Sequence, residues 1–130
     1  MNKFNFEGFT KIKYEFNIEP IAAPRMTQRD KWAKRKCVTK YFGFRNKFLL
    51  QANVKGFDLP DVLNILFIIS MPKSWSKKKK NMMCHTPHKS RPDRDNYLKA
   101  VQDSFNKDDG YVWDGRTIKI WGYTGKIIIF

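Results

Sequence analysis

"VLNILFIISM", residues 62–71, is the longest apolar run in the chain, and its reading decides the fold. It falls short of the roughly 18 apolar residues of a membrane span, and Asn64 and Ser70 interrupt it. Its Ile and Leu residues follow no polar alternation, which predicts a central strand buried on both faces. Upstream, "KIKYEFNI" (11–18) sets Ile12, Tyr14, Phe16 and Ile18 on one face against Lys11, Lys13, Glu15 and Asn17 on the other. That alternation predicts a half-buried strand. Between the two, Tyr41, Phe44, Phe48, Leu49 and Ala52 recur at helical spacing from about Thr39 to Val54, with Gly56 as the stop. Downstream, Leu98, Val101 and Phe105 form the apolar stripe of a helix over 94–105. Two short strands follow, around "TIKIWGY" and "KIIIF", turned by Gly122 to Gly125. The order strand, helix, strand, helix, strand, strand predicts an α+β fold: one domain over 1–130, a small mixed β-sheet with two main helices.

With 130 residues and eleven Phe, the chain can bury a core without disulfides or a structural metal. Cys37 and Cys84 make no disulfide framework, and "MNKFNFEGFT" lacks the apolar core of a signal peptide. The expectation is a cytoplasmic protein with no membrane association and no small-molecule cofactor. The net charge of +14 points to a polyanion, nucleic acid first of all, although an AT-rich genome also inflates Lys content. Position strengthens the first reading. Arg25, Arg29, Lys31, Lys34 and Arg35 crowd one Pro-punctuated segment, with Lys36 and Lys40 following and Asp30 the one acid among them. Residues 71–92 carry Lys77, Lys78, Lys79, Lys80, Lys89 and Arg91, together with Lys73, and no acid. Three prolines and no periodicity predict a loop there.

Against this background the acids are concentrated: of twelve, six lie between Asp93 and Asp114. As plain architecture, Asp95 would cap the helix and Asp93 would favour the positive end of its dipole. One cap does not need two carboxylates, an adjacent Asn96 and further acids downstream. Mg²⁺ takes one or two carboxylates together with substrate phosphate oxygens, and Asp93 and Asp95 lie two apart at a chain reversal. Asp108, Asp109 or Asp114 supplies the remote acid. Lys99, one turn after Asp95, can neutralise carboxylates at rest or meet the charge that develops on a scissile phosphate; Asp103 would orient it. Basic segments that attract a DNA backbone and an acid island that repels it are reconciled by a metal ion.

"RPDRDNYLKAVQDSFNKDDGYVWDGRTIK" resembles the signature of the RusA-type Holliday junction resolvases of bacteria and phages. The pattern D-x-D-N-x-x-K-x-x-x-D is met by Asp93, Asp95, Asn96, Lys99 and Asp103, the following pair by Asp108 and Asp109, and Val112 and Lys119 fit beyond it. "IAAPRMTQRDKW" is similar to the Pro-Arg-rich segment after the first strand of phage members. The resemblance implies that Asp93, Asp95 and Asp109 are catalytic, metal-binding aspartates and Lys99 the catalytic lysine. The loop after Asp103 is short, which leaves Asp108 or Asp114 as substitutes for Asp109. It further implies a homodimer that cuts four-way DNA junctions symmetrically with Mg²⁺, for which Mn²⁺ substitutes.

Of the remaining residues, "CHTPH" (84–88) lacks the second ligand pair of a zinc site, and His88 is expected against phosphate or a metal-bound water. Trp75 and Trp32 sit among lysines and suit either base stacking or the core, whereas Trp113 and Trp121 are expected in the core. Two other classes compete with the nuclease: a non-catalytic basic nucleic-acid-binding phage protein, and a protein acting on RNA.

Overall fold

The computed structural model describes residues 3–6, 12–24 and 36–130. Its elements are β1 (Tyr14–Phe16), α1 (Lys36–Lys55), β2 (Ile65–Ser70), α2 (Lys77–Met83), α3 (Arg94–Ser104), β3 (Thr117–Gly122) and β4 (Lys126–Ile129). The four strands form one mixed sheet in the order β1-β4-β2-β3. β2 runs parallel to β3 and antiparallel to β4, so that Phe67 lies between Lys119 and Ile127. The long apolar run is therefore the interior strand its composition predicts. Ile65, Phe67 and Ile69 enter the larger core, while Leu66 and Ile68 join Ile120 and Ile128 on the opposite face, where Phe4 and Phe6 help to cover them.

The larger core sits under α1 and α3. α1 contributes Tyr41, Phe44, Phe48 and Ala52, the residues whose spacing predicts it. It ends where Gly56 takes a φ of 67° and Phe57 donates its N–H back to the Ala52 carbonyl. β1 is shorter than its alternation implies: Phe16 and Ile18 are buried, but Ile12 is half exposed beyond the pairing with Ile129.

Two expectations need correction. The stretch 71–92 is not loop throughout, because Lys77–Met83 forms a helix. Periodicity could not reveal it: α2 buries no residue, and what starts it is the Ser76 side chain accepting the Lys79 N–H at 3.1 Å. Trp113, expected in the core, is 69 % exposed, whereas Trp121 is buried as expected.

Candidate active site

The acid cluster is carried by two segments that meet at α3. The first begins at the outer edge of β3. His85 donates to Trp121, Trp121 to Thr86 and His88 to Lys119, main chain to main chain, so residues 85–88 extend the sheet by a short antiparallel pairing. Past His88 the chain leaves the edge and crosses to α3. Asp93 occupies the N-cap of α3 and accepts the Asn96 and Tyr97 N–H groups on its carbonyl, but its side chain makes no cap bond. The capping role considered for Asp95 thus falls positionally to Asp93, and Asp95 lies in the first turn. Both carboxylates are exposed at the positive end of the helix.

The second segment runs from the end of α3 back along it. Lys107 and Val112 donate their N–H groups to the carbonyl and side chain of Gln102, and the Arg94 guanidinium reaches the Thr117 carbonyl near the other end of α3. Asp114 lies between those anchors. Its carbonyl accepts the Leu63 N–H at 2.9 Å. Gly115, at a φ of 126°, has no room for a side chain, since a Cβ would stand 1.8 Å from the Leu63 oxygen. Trp113 is held beside it by a 2.9 Å bond from its indole N–H to Asp61.

Lys99 is not paired with Asp95, one turn away. Its Nζ donates to both carboxylate oxygens of Asp109 at 3.1 Å, and this bond, followed by the charge of Asp103, raises the lysine pKa. Asp103 is half buried, and desolvation lifts its pKa against the opposing effect of Lys99. Among the described residues no three acidic, His or Cys side chains converge tightly enough to hold a metal ion. The donor set still suits a hard cation that takes only one or two carboxylates and completes its shell from water and phosphate: Asp93 and Asp95 offer oxygens engaged in no hydrogen bond or ion pair among the described residues.

His88 departs from expectation. It is 4 % exposed, packed on Trp121 at 4.2 Å, and its Nδ1 has no hydrogen-bond partner among the described residues. Burial, helped by the charge of Lys119, lowers its pKa to about 4. Buried this deeply, the ring has almost no surface to offer a phosphate. Lys77, Lys78, Lys79, Lys89 and Arg91 are exposed and Lys80 half-buried. Trp75 is half-buried against Trp121 at 5.0 Å, with the Lys79 ammonium 4.2 Å over its ring. Arg25, Arg29, Lys31, Trp32, Lys34 and Arg35 lie outside the described residues. The segment before them is anchored at the site, since Ala23 donates its N–H to the Asn96 carbonyl.

No helix among the described residues is long and apolar enough to cross a membrane. Neither the curated proteins nor the solved structures contain a match to this chain. The family model of endodeoxyribonuclease RusA, by contrast, matches residues 16–130, including both acid-bearing segments and strands β2, β3 and β4. The chain belongs to the RusA endodeoxyribonuclease family, whose activity is the resolution of Holliday junctions.

Proposed function

We propose that the protein is a Mg²⁺-dependent endonuclease that resolves four-way DNA junctions by paired, symmetric phosphodiester cleavage. The observation that carries this reading is the pair of exposed carboxylates at the start of α3, without a bonding partner among the described residues, beside a Lys99–Asp109 ion pair, in a chain of net charge +14. Asp93 and Asp95 hold the ion, which supplies Lewis acidity toward the phosphate and lowers the pKa of a water. Lys99 stabilises the charge that develops on the phosphate. Asp109, expected as the third metal ligand, is engaged by Lys99 and so is suited to orienting it. Two observations favour Asp114 for the third position: its side chain has no partner among the described residues, and its backbone is fixed by Leu63 and Gly115. Lys77, Lys78, Lys79, Lys80, Lys89 and Arg91, with the 25–35 segment, hold the backbones of the junction arms.

Symmetric cleavage of a two-fold junction calls for two sites related by the same symmetry, and hence a homodimer. The apolar C-terminal run does not add to that argument, because Ile127, Ile128 and Ile129 are already buried in the sheet of one chain. Light scattering at micromolar concentration should give the dimer mass; an active monomer would remove the claim.

The deciding experiment measures cleavage and binding of a synthetic four-way junction on the same folded Asp95→Asn protein. Cleavage should be abolished while binding is kept or slightly tightened, because Asn removes a charge that repels DNA once the metal is lost. Near wild-type cutting in Mg²⁺ would make the acids mere architecture and favour a binding protein. Asp114→Asn and Asp109→Asn side by side separate the two candidates for the third ligand.

A further inference from the structure

The chain between His88 and Asp93 has an unusual hydrogen-bond account. Residues 85–88 are zipped to the edge of β3, and from Asp93 onward the carbonyls serve α3. Between them, Lys89, Ser90, Arg91 and Pro92 make no main-chain bond to any main-chain group among the described residues. All four are exposed, and Pro92 has no N–H to offer. A segment of this kind would ordinarily sample many conformations, and the carboxylate that follows it would share that freedom.

One side chain prevents this. Lys119 projects from β3, where its Cα is fixed in the parallel ladder opposite Phe67 of the central strand. Its Nζ donates to the Ser90 carbonyl at 2.7 Å and to the Pro92 carbonyl at 2.7 Å. These are the only hydrogen bonds of residues 89–92 among the described residues. No carboxylate there lies within ion-pair distance of the ammonium, so its charge is satisfied by main-chain dipoles. Desolvation disfavours the charged ammonium and lowers its pKa, and the charge of Asp93, the next residue along, opposes that effect. The Lys119 carbonyl also receives the His88 N–H, so one residue of β3 holds both ends of the crossing.

We propose that Lys119 is a positioning residue: by clamping the Ser90 and Pro92 carbonyls it sets where Asp93 stands at the mouth of α3. It touches neither DNA nor the reacting atoms. This role rests on the function proposed for Asp93, but the clamp itself is a property of the folded chain and is tested separately from it.

The test uses the full-length chain in three forms: wild type, Lys119→Met, which keeps the stem and loses the donors, and Lys119→Arg, which keeps charge and donors. Hydrogen exchange in the absence of DNA and metal reads the clamp. In Lys119→Met, the bonded amides at the two ends of the crossing, His88 on Lys119 and Asn96 and Tyr97 on Asp93, should exchange faster, while those of β2 and β4 stay protected. Junction cleavage reads the consequence. The turnover rate should fall roughly 100-fold, the scale for a displaced catalytic group, with junction affinity within about two-fold, and Lys119→Arg should recover a substantial part. A higher Mg²⁺ concentration for half-maximal cutting is expected in Lys119→Met. If that variant does not fold, Lys119→Gln, shorter and neutral, carries the same comparison. Unchanged exchange at His88, Asn96 and Tyr97 overturns the clamp. Selective loosening with unchanged turnover overturns its role at the site. A wild type that binds junctions and never cuts them overturns the nuclease reading, and with it the role, but leaves the exchange result to decide the clamp.

Discussion

α1 and α3 lie side by side on the same face of the sheet, yet they are built for different purposes. α1 is twenty residues long and sends Val38, Tyr41, Phe44, Phe48 and Ala52 into the core. α3 is eleven residues long and buries a mixed set: Tyr97, Ala100 and Val101, but also Gln102 and Ser104. Each buried polar group on α3 is used. Gln102 receives the Val112 N–H and ties down the returning acidic segment, and Ser104 donates to the Ala100 carbonyl. The exposed side of α1 carries no acid, whereas Asp93 and Asp95 mark the start of α3 and Lys99 its middle. One helix supplies cohesion and the other presents chemistry on it. Changes in the two should therefore separate stability from activity.

The largest effect is expected on the cohesive side. Phe48 is fully buried and meets Phe16, Phe44 and Phe105 at ring distances of 4.8, 5.6 and 5.5 Å. Phe48→Ala should cost about 3–5 kcal/mol of unfolding free energy, read from the urea midpoint. The fraction that remains folded should cut junctions at the wild-type rate. A specific loss of turnover in that fraction would break the division of labour.

The converse change is Lys99→Ala. Lys99 is 44 % exposed and its partner Asp109 71 %, so the ion pair contributes little to stability. Unfolding should shift by well under about 1 kcal/mol. Turnover should fall about 10²–10³-fold, the scale for removing one donor to developing charge. Junction affinity should hardly change, because one cation among 26 Lys and Arg is lost. Normal turnover would reduce the pair to surface decoration.

His88 lies beneath the start of α3 and links the two roles through pH. Its folded pKa of about 4 lies below the ordinary 6.5, so the fold favours the neutral ring. The associated stability is complete above about 6.5 and is lost as pH falls through 4, at most about 3 kcal/mol. Lys119 is the charged group that acts on this ring. In His88→Leu the urea midpoint should fall less between pH 7 and pH 4 than in wild type. Parallel pH profiles would mean that the ring takes up its proton in the folded protein as readily as in the unfolded chain.

Legibility in the sequence follows the same division. Residues whose burial is repetitive announce themselves: the Ile-rich run of β2, the spacing of Tyr41, Phe44 and Phe48, and the stripe of Leu98 and Val101. The acid cluster was visible as composition, and Asp93, Asp95 and Lys99 as spacing. Contacts made once, across the chain, leave no pattern. Nothing in the order of residues says that Lys99 takes Asp109 rather than Asp95, or that Lys119 serves two carbonyls twenty-seven and twenty-nine positions away. Trp113 and His88 exchange the places expected of them for a similar reason. A single bond to Asp61 holds the indole at the surface, and packing on Trp121 draws the imidazole inside.

α2 gives the smallest expected effect and sharpens the comparison, since it supplies neither cohesion nor catalysis. It is seven residues long and buries none of them. Lys77, Lys78 and Lys79 crowd its first turn, where the helix dipole disfavours cations. Ser76 offsets this by accepting the Lys79 N–H, the Lys79 ammonium rests on the Trp75 ring, and the Cys84 N–H closes the far end on Lys80. A helix this short is marginal without such contacts. Ser76→Ala should therefore cost about 1 kcal/mol locally, which speeds exchange of the Lys79 and Lys80 amides by about five-fold. The urea midpoint should barely move, because no core residue leaves its place when α2 frays. Junction affinity and its salt dependence should also hold, since phosphate binding counts the charges brought to the backbone and a frayed segment still brings four lysines. Affinity that drops in Ser76→Ala while the rest of the fold is intact would show that α2 reads junction shape through a fixed helical geometry, and would move it from the electrostatic side of the molecule to the recognition side.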